Sequence, residues 1–223
     1  MKKLRNIGLC GALAGLAACL LLPAAALAMD ADELIAKHLE AVGGEKQLRA
    51  VDSMMVTGKF MVQGMEIPFT MTQLRPNLLR IDAAVMGMDM VQAYDGEKGW
   101  SVNPMTGSPD AQPMGDVEEK SFRLQSDIDG QLMDYADKGY TVEFLGEEDV
   151  EGTPAYKLRL VVDEDTTFDY FFDKEYFLVI KQTAKMVHEG NEIVTDTFPS
   201  DYQDLDGLVH AFSIETRMGD QVM

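Results

Sequence analysis

The sequence predicts an α+β fold, a curved antiparallel sheet of about ten strands that forms an incomplete β-barrel, with two or three helices on its concave side. Three observations carry this. Most of the chain after residue 53 alternates apolar and polar residues at period two between Gly, Asp and Pro turn signals. Helical periodicity is confined to one stretch near residue 30 and another after residue 116. Ten strands about 4.8 Å apart make a sheet roughly 48 Å wide, whereas one helix masks only about 10 Å. A flat sheet would stay bare, so this one must curl around its helices, leaving a space that either side chains or an apolar guest must fill.

Residues 1–28 read as a targeting segment: Lys2, Lys3 and Arg5, an apolar run, then Ala26-Leu27-Ala28 as a cleavage site that leaves Met29 as the mature start. A lipoprotein signal acylated at Cys19 is the alternative, but Leu20, Leu21 and Leu22 continue the apolar run where a polar tether belongs. Both cysteines, Cys10 and Cys19, lie in this segment, so the mature chain, residues 29–223, has no thiol, as suits an exported protein without disulfides. Cleavage removes three of the 19 basic residues and none of the 38 acidic ones, taking the formal charge from −19 to −22. Such a field repels nucleic acid and anionic phospholipid alike.

Asp30, with Glu33 three residues on, starts a helix that carries Leu34, Ile35, Leu39 and Val42, and Gly43-Gly44 stops it. A short helical turn over residues 45–51 follows. Met54, Val56, Phe60 and Val62 then alternate with Met55, Thr57, Lys59 and Met61. A second strand puts Met65, Ile67, Phe69 and Met71 on one face. Strands over residues 78–84 and 86–94 continue the meander, with Met86, Met88, Met90, Gln92 and Tyr94 sharing a face, and Asp95-Gly96 turns the chain into a strand over 99–102. Residues 104–115 are loop. From Asp116 to Tyr135, Val117, Phe122, Leu124, Ile128, Leu132 and Met133 fall on one broad helical stripe interrupted by Asp129-Gly130, which predicts one or two helices. The rest is strand: 140–144, 156–162, 168–172, a central strand over 176–183, then 185–188, 192–198 and 209–217. Met218-Gly219-Asp220 reads as a further turn and Gln221-Val222-Met223 as the start of a strand, so the domain is expected to be truncated at its C-terminus.

Arg75-Pro76-Asn77-Leu78 at a strand start, Asp95-Gly96, Trp100 and Asn103-Pro104 together resemble the periplasmic lipoprotein-carrier family, the LolA-like outer-membrane lipoprotein-sorting proteins. The hydropathy pattern agrees over most of the mature chain. The resemblance implies a monomeric periplasmic carrier that binds the acyl chains of a lipoprotein or related amphiphile in an apolar cavity. It further implies an inner-membrane donor, an outer-membrane acceptor, no covalent chemistry, no cofactor and no metal. In that family the matching arginine closes the pocket by hydrogen-bonding to a helical lid, which would set Arg75 against backbone carbonyls of residues 116–135. The ligand-binding residues expected on this basis are Arg75, Met65, Phe69, Met71, Met86, Met88, Met90, Trp100 and Phe122.

Other readings of the same residues stand beside this one. Of the 16 methionines, Met54, Met55, Met61, Met65, Met71, Met86, Met88 and Met90 concentrate in the first four strands, where flexible thioethers suit a pocket for acyl chains and equally a loose core. Met86, Met88 and Met90 on one face would also make a three-thioether Cu(I) site. Trp100 would line the cavity mouth or plug the core. A periplasmic sensor with a similar half-barrel that binds lipid or peptide is the alternative function. Enzyme signatures are missing: there is no Gly-x-Ser-x-Gly elbow, and His188-Glu189 lacks a second histidine one turn on. His38, His188 and His210 are scattered and read as structural or exposed. Asp127 with Asp129, and Asp204 with Asp206-Gly207, read as turns rather than calcium loops.

Overall fold

Asp30 starts the first helix as expected, its carboxylate accepting from the Glu33 backbone N–H at 2.8 Å. The computed structural model describes residues 29–62, 64–106, 110–219 and 221–222, so the predicted targeting segment lies outside the described residues. Helix α1 spans Ala31–Ala41, the short α2 spans Glu45–Arg49, and α3 spans Asp116–Gln125. The strands are β1 Ser53–Val62, β2 Met65–Leu74, β3 Leu78–Val85, β4 Met88–Tyr94, β5 Gly99–Val102 and β6 Gln112–Pro113 before α3. After it come β7 Thr141–Val150, β8 Thr153–Asp163, β9 Thr166–Asp173, β10 Val179–His188, β11 Asn191–Leu205, β12 Leu208–Met218 and β13 Gln221–Val222.

Among the described residues the strands number thirteen, in two antiparallel meanders ordered β1 to β6 and β13 to β7, and no ladder joins them or closes either into a barrel. Sequence neighbours pair within each sheet, and two-residue loops return several of the strands directly onto the one before. Met86-Gly87, Glu151-Gly152, Glu189-Gly190 and Asp206-Gly207 are such loops, with positive φ at both positions, the backbone that matches the twist of the flanking strands. Irregularities in the β7–β8, β8–β9 and β9–β10 ladders give the second sheet extra twist and bend.

Three expectations are corrected. Helix α3 ends at Gln125, and residues 128–139 run on as a succession of turns in which Asp134 has φ of 53°. The apolar stripe continues through Leu132 and Met133 because both are needed in the core, not because the backbone is helical. Strands expected separately over 176–183 and 185–188 are one strand, β10, the central member of its sheet, and residues 174–178 form the turn before it. The strand expected to start at Met86 starts at Met88.

Each sheet has its own core. Under α1, Leu34, Ile35 and Leu39 pack with Leu158, Leu160, Phe168, Tyr170 and Phe172 of β8 and β9. His38 belongs to this layer structurally, donating from Nδ1 to the Phe177 carbonyl at 2.9 Å with its ring 5.0 Å from that of Phe172. A smaller cluster joins Leu79, Tyr94, Met114 and Phe122, with Met71 and Ile81 packed against it. Helix α3 and the turns after it are rooted in both: Phe122 enters the smaller cluster, and Leu124, Leu132 and Met133 enter the larger one.

Candidate functional site

Ladder partners share a face of a sheet, so the register divides the first sheet cleanly. One face carries Met54, Val56, Gly58, Phe60 and Val62 of β1, then Met65, Ile67, Phe69, Met71 and Gln73 of β2. Leu79, Ile81, Ala83 and Val85 of β3, and Met88, Met90, Gln92 and Tyr94 of β4, complete it. This is the inner face, because α3 lies on it. Phe122 packs on Leu79 and Tyr94. Gln92 donates to the Glu118 carboxylate at 2.6 Å, and Gln73 donates to the Gln125 carbonyl at 2.6 Å, capping the helix C-terminus.

The helix covers only one end of that face. Its cluster stops at Met71 and Ile81, and toward the hairpin loops Phe60, Met65, Ile67, Phe69, Val85, Met88 and Met90 belong to no core cluster among the described residues. Phe60 and Met65 are 42% and 48% exposed, and Ile67, Phe69, Met88 and Met90 are half-buried. The rings of Phe60 and Phe69 stack with centroids 4.1 Å apart. Gly58 makes room for this, since a Cβ there would lie 2.9 Å from the Phe69 ring. The result is an apolar shelf, floored by two aromatic rings and thioethers, with α3 at one end.

Arg75 sits where β2 leaves that shelf. Its guanidinium forms a bidentate pair with Asp129, at 2.6 and 2.5 Å, and also donates to the carbonyls of Val51 at 2.6 Å and Leu48 at 3.0 Å. The expected contact with the segment after Asp116 is present, but through a carboxylate. The backbone carbonyls that Arg75 reaches belong to α2 and the residues after it. Asp129 was legible only as half of an acidic turn pair, and 54 residues separate it from Arg75. Asp127 does form the turn, accepting from the Asp129 N–H at 3.1 Å and pairing with Lys138.

Hydrogen bonds from Arg75 hold the Asp129 carboxyl below the usual carboxylate range, against burial, which raises it. A carboxyl whose folded pKa is depressed stabilises the fold fully above the unfolded value, about 4, and loses that stabilisation as pH falls through the folded one. Urea unfolding of Asp129→Asn should therefore lose less stability than the parent protein between about pH 5 and pH 2. Equal slopes would show that the pair contributes nothing to the fold.

The structure brings Met65, Phe69, Met71, Met88, Met90 and Phe122 to one side of the first sheet and sets Arg75 at its end. It does not bring Met86 or Trp100 there. Met86 lies in the two-residue loop and is 79% exposed, so the three methionines do not share a face. Trp100 pairs with Ala93 and Pro113 on the outer face and is 40% exposed, neither lining the shelf nor plugging a core. Sequence reasoning passed over Phe60 and Gln73. The strand parity that placed Phe60 beside Val56 was the available signal.

Two open antiparallel sheets with a few helices against one side define the class, an incomplete barrel of LolA-like fold. Among solved structures the chain is similar to the LolA superfamily protein NE2245 from Nitrosomonas europaea, with TM-score 0.58 and 11% identity over 86% of this chain and 87% of that one. It is also similar to a domain from Vibrio parahaemolyticus described as a candidate outer membrane lipoprotein-sorting protein domain, with TM-score 0.51 and 14% identity over 83% and 86% of the two chains. No protein-family model matches the chain, and no curated protein matches it by sequence.

Proposed function

We propose that the protein is a non-catalytic, monomeric periplasmic carrier. It shelters the acyl chains of a lipoprotein or related amphiphile between an inner-membrane donor and an outer-membrane acceptor, after loss of residues 1–28. The observation that carries this reading is the apolar shelf around Phe60, Phe69, Met88 and Met90, which no helix among the described residues covers. At about 0.8 kcal/mol per methylene, a sixteen-carbon chain costs roughly 12 kcal/mol to leave in water, so transit needs a host. The host must also let go. Thioethers adapt to chains of different shape without locking them, and a shelf open toward the hairpin loops leaves an exit. The LolA-like fold supports the same reading, and the Arg75–Asp129 pair serves as the fastening of the segment beside the shelf.

Phe69 and Thr70 are neighbours on opposite faces of β2, which makes a direct test. Phe69→Asp should weaken binding of the fluorescent fatty acid cis-parinaric acid at least about tenfold, because a carboxylate on the shelf would have to be desolvated. Thr70→Asp should leave it unchanged. Equal effects, or no binding by the parent protein, would end the proposal. Mass spectrometry of material extracted from the purified protein separates functions: acylated cargo supports a carrier, and a captured peptide supports a sensor.

A further inference from the structure

A groove on the helical side of the molecule contains no residue of the first sheet. It is a hollow of about 290 Å³ between α1, Glu45 at the start of α2, and the turns over residues 132–137. Its floor is apolar and firm, made by Ile35, Leu39 and Leu132, each no more than 8% exposed. The walls are Ala36 and Ala136, whose short side chains leave the space open.

The rim has one sign. Asp32, Glu45, Asp134 and Asp137 all line the hollow, and among the described residues no lysine, arginine or histidine does. Arg49, standing outside, answers part of this charge: it pairs bidentately with Asp134 and lies 3.5 Å from Glu45. The Tyr135 hydroxyl donates to Asp32 at 2.7 Å. Asp137 has no partner among the described residues. Of the lysines next in sequence to lining residues, Lys37 pairs with Glu33 and Lys138 with Asp127, while Lys46, beside Glu45, is exposed and does not line the hollow. Four carboxylates thus face one guanidinium. They do not converge, since among the described residues no three acidic, histidine or cysteine side chains are placed to hold a metal ion. A point charge fits such a rim poorly, whereas a chain that spreads its cations along an apolar backbone of methylenes fits it well.

We infer that this groove docks a basic segment of a partner protein. Lysine and arginine stems lie along Ala36 and Ala136 while their heads meet Asp137, Glu45 and Asp32. An adjacent leucine of the segment covers Leu39. With 38 acidic residues against 19 basic ones, the protein's long-range field draws such a segment in, and the groove decides where it settles.

The probe is a fluorescein-labelled peptide, Lys-Leu-Lys-Lys-Leu-Lys, titrated by anisotropy against the full-length protein. Binding should weaken with added salt, and Kd should rise about tenfold in the double variant Asp137→Asn/Glu45→Gln. Ala36→Trp, which fills the hollow without changing charge, should weaken it comparably. Neutralising two exposed acids on the second sheet, Glu164→Gln with Glu192→Gln, removes the same net charge and should leave Kd unchanged. All five positions are exposed, and a melting curve for each variant confirms the fold. Equal weakening by the control pair would show diffuse attraction only and overturn the inference. So would parent-like binding by the groove variants, or no binding at low salt. None of these outcomes bears on fatty-acid binding by the shelf, which is measured separately.

Discussion

Arg75→Leu should reduce delivery of a palmitoylated fluorescent peptide to acceptor vesicles by a larger factor than it reduces the folded population. The substitution removes four hydrogen bonds and leaves Asp129, only 16% exposed, without its partner. Breaking a fully buried pair from one side costs about 3–5 kcal/mol. Arg75 is 28% exposed, and solvent screening brings the expected loss to about 2 kcal/mol. The fold should survive that, and the segment after α3 should lose its fastening to the end of β2. Removing both partners, Arg75→Leu with Asp129→Leu, should recover part of the stability, because no charge is then stranded, while delivery stays impaired. Unchanged delivery with an intact fold would take Arg75 out of the mechanism.

The larger loss of stability is expected at Phe172→Ala. Phe172 is fully buried in the cluster under α1, beside Tyr170 and His38, with ring centroids 6.1 and 5.0 Å away. Truncating a buried phenylalanine leaves a cavity and forfeits its transfer energy, about 3–5 kcal/mol together. The urea midpoint should fall accordingly with little change in slope. A loss below about 1 kcal/mol would mean that α1 does not hold the second sheet as described.

How far the chain could be read without coordinates depended on which forces acted locally. Strands and hairpins were legible because alternation and X-Gly loops are written into neighbouring residues. The loop at Met86-Gly87 was not, since methionine carries no turn signal and its side chain continued the parity of Met88 and Met90. The false helix over 128–135 came from Leu132 and Met133, whose burial is decided by strands β8 and β9 far along the chain. Arg75 could be singled out, but its carboxylate partner could not, because a 54-residue separation leaves no mark on composition or period. Trp100 was placed on the wrong side for a simpler reason. Register counted back through the Gly99–Tyr94 pair sets it beside Ala93, on the face away from Tyr94 and Gln92, and that count requires knowing that the loop runs from Asp95 to Lys98.

The side on which Trp100 lies has a practical sequel. As the sole indole in the chain, it supplies the main intrinsic ultraviolet emission, and it looks away from the surface where hydrocarbon is expected to lodge. Filling that surface should leave the native spectrum almost untouched. An indole introduced at position 69 or 88 would then be read against a steady background, as a built-in optical gauge of occupancy.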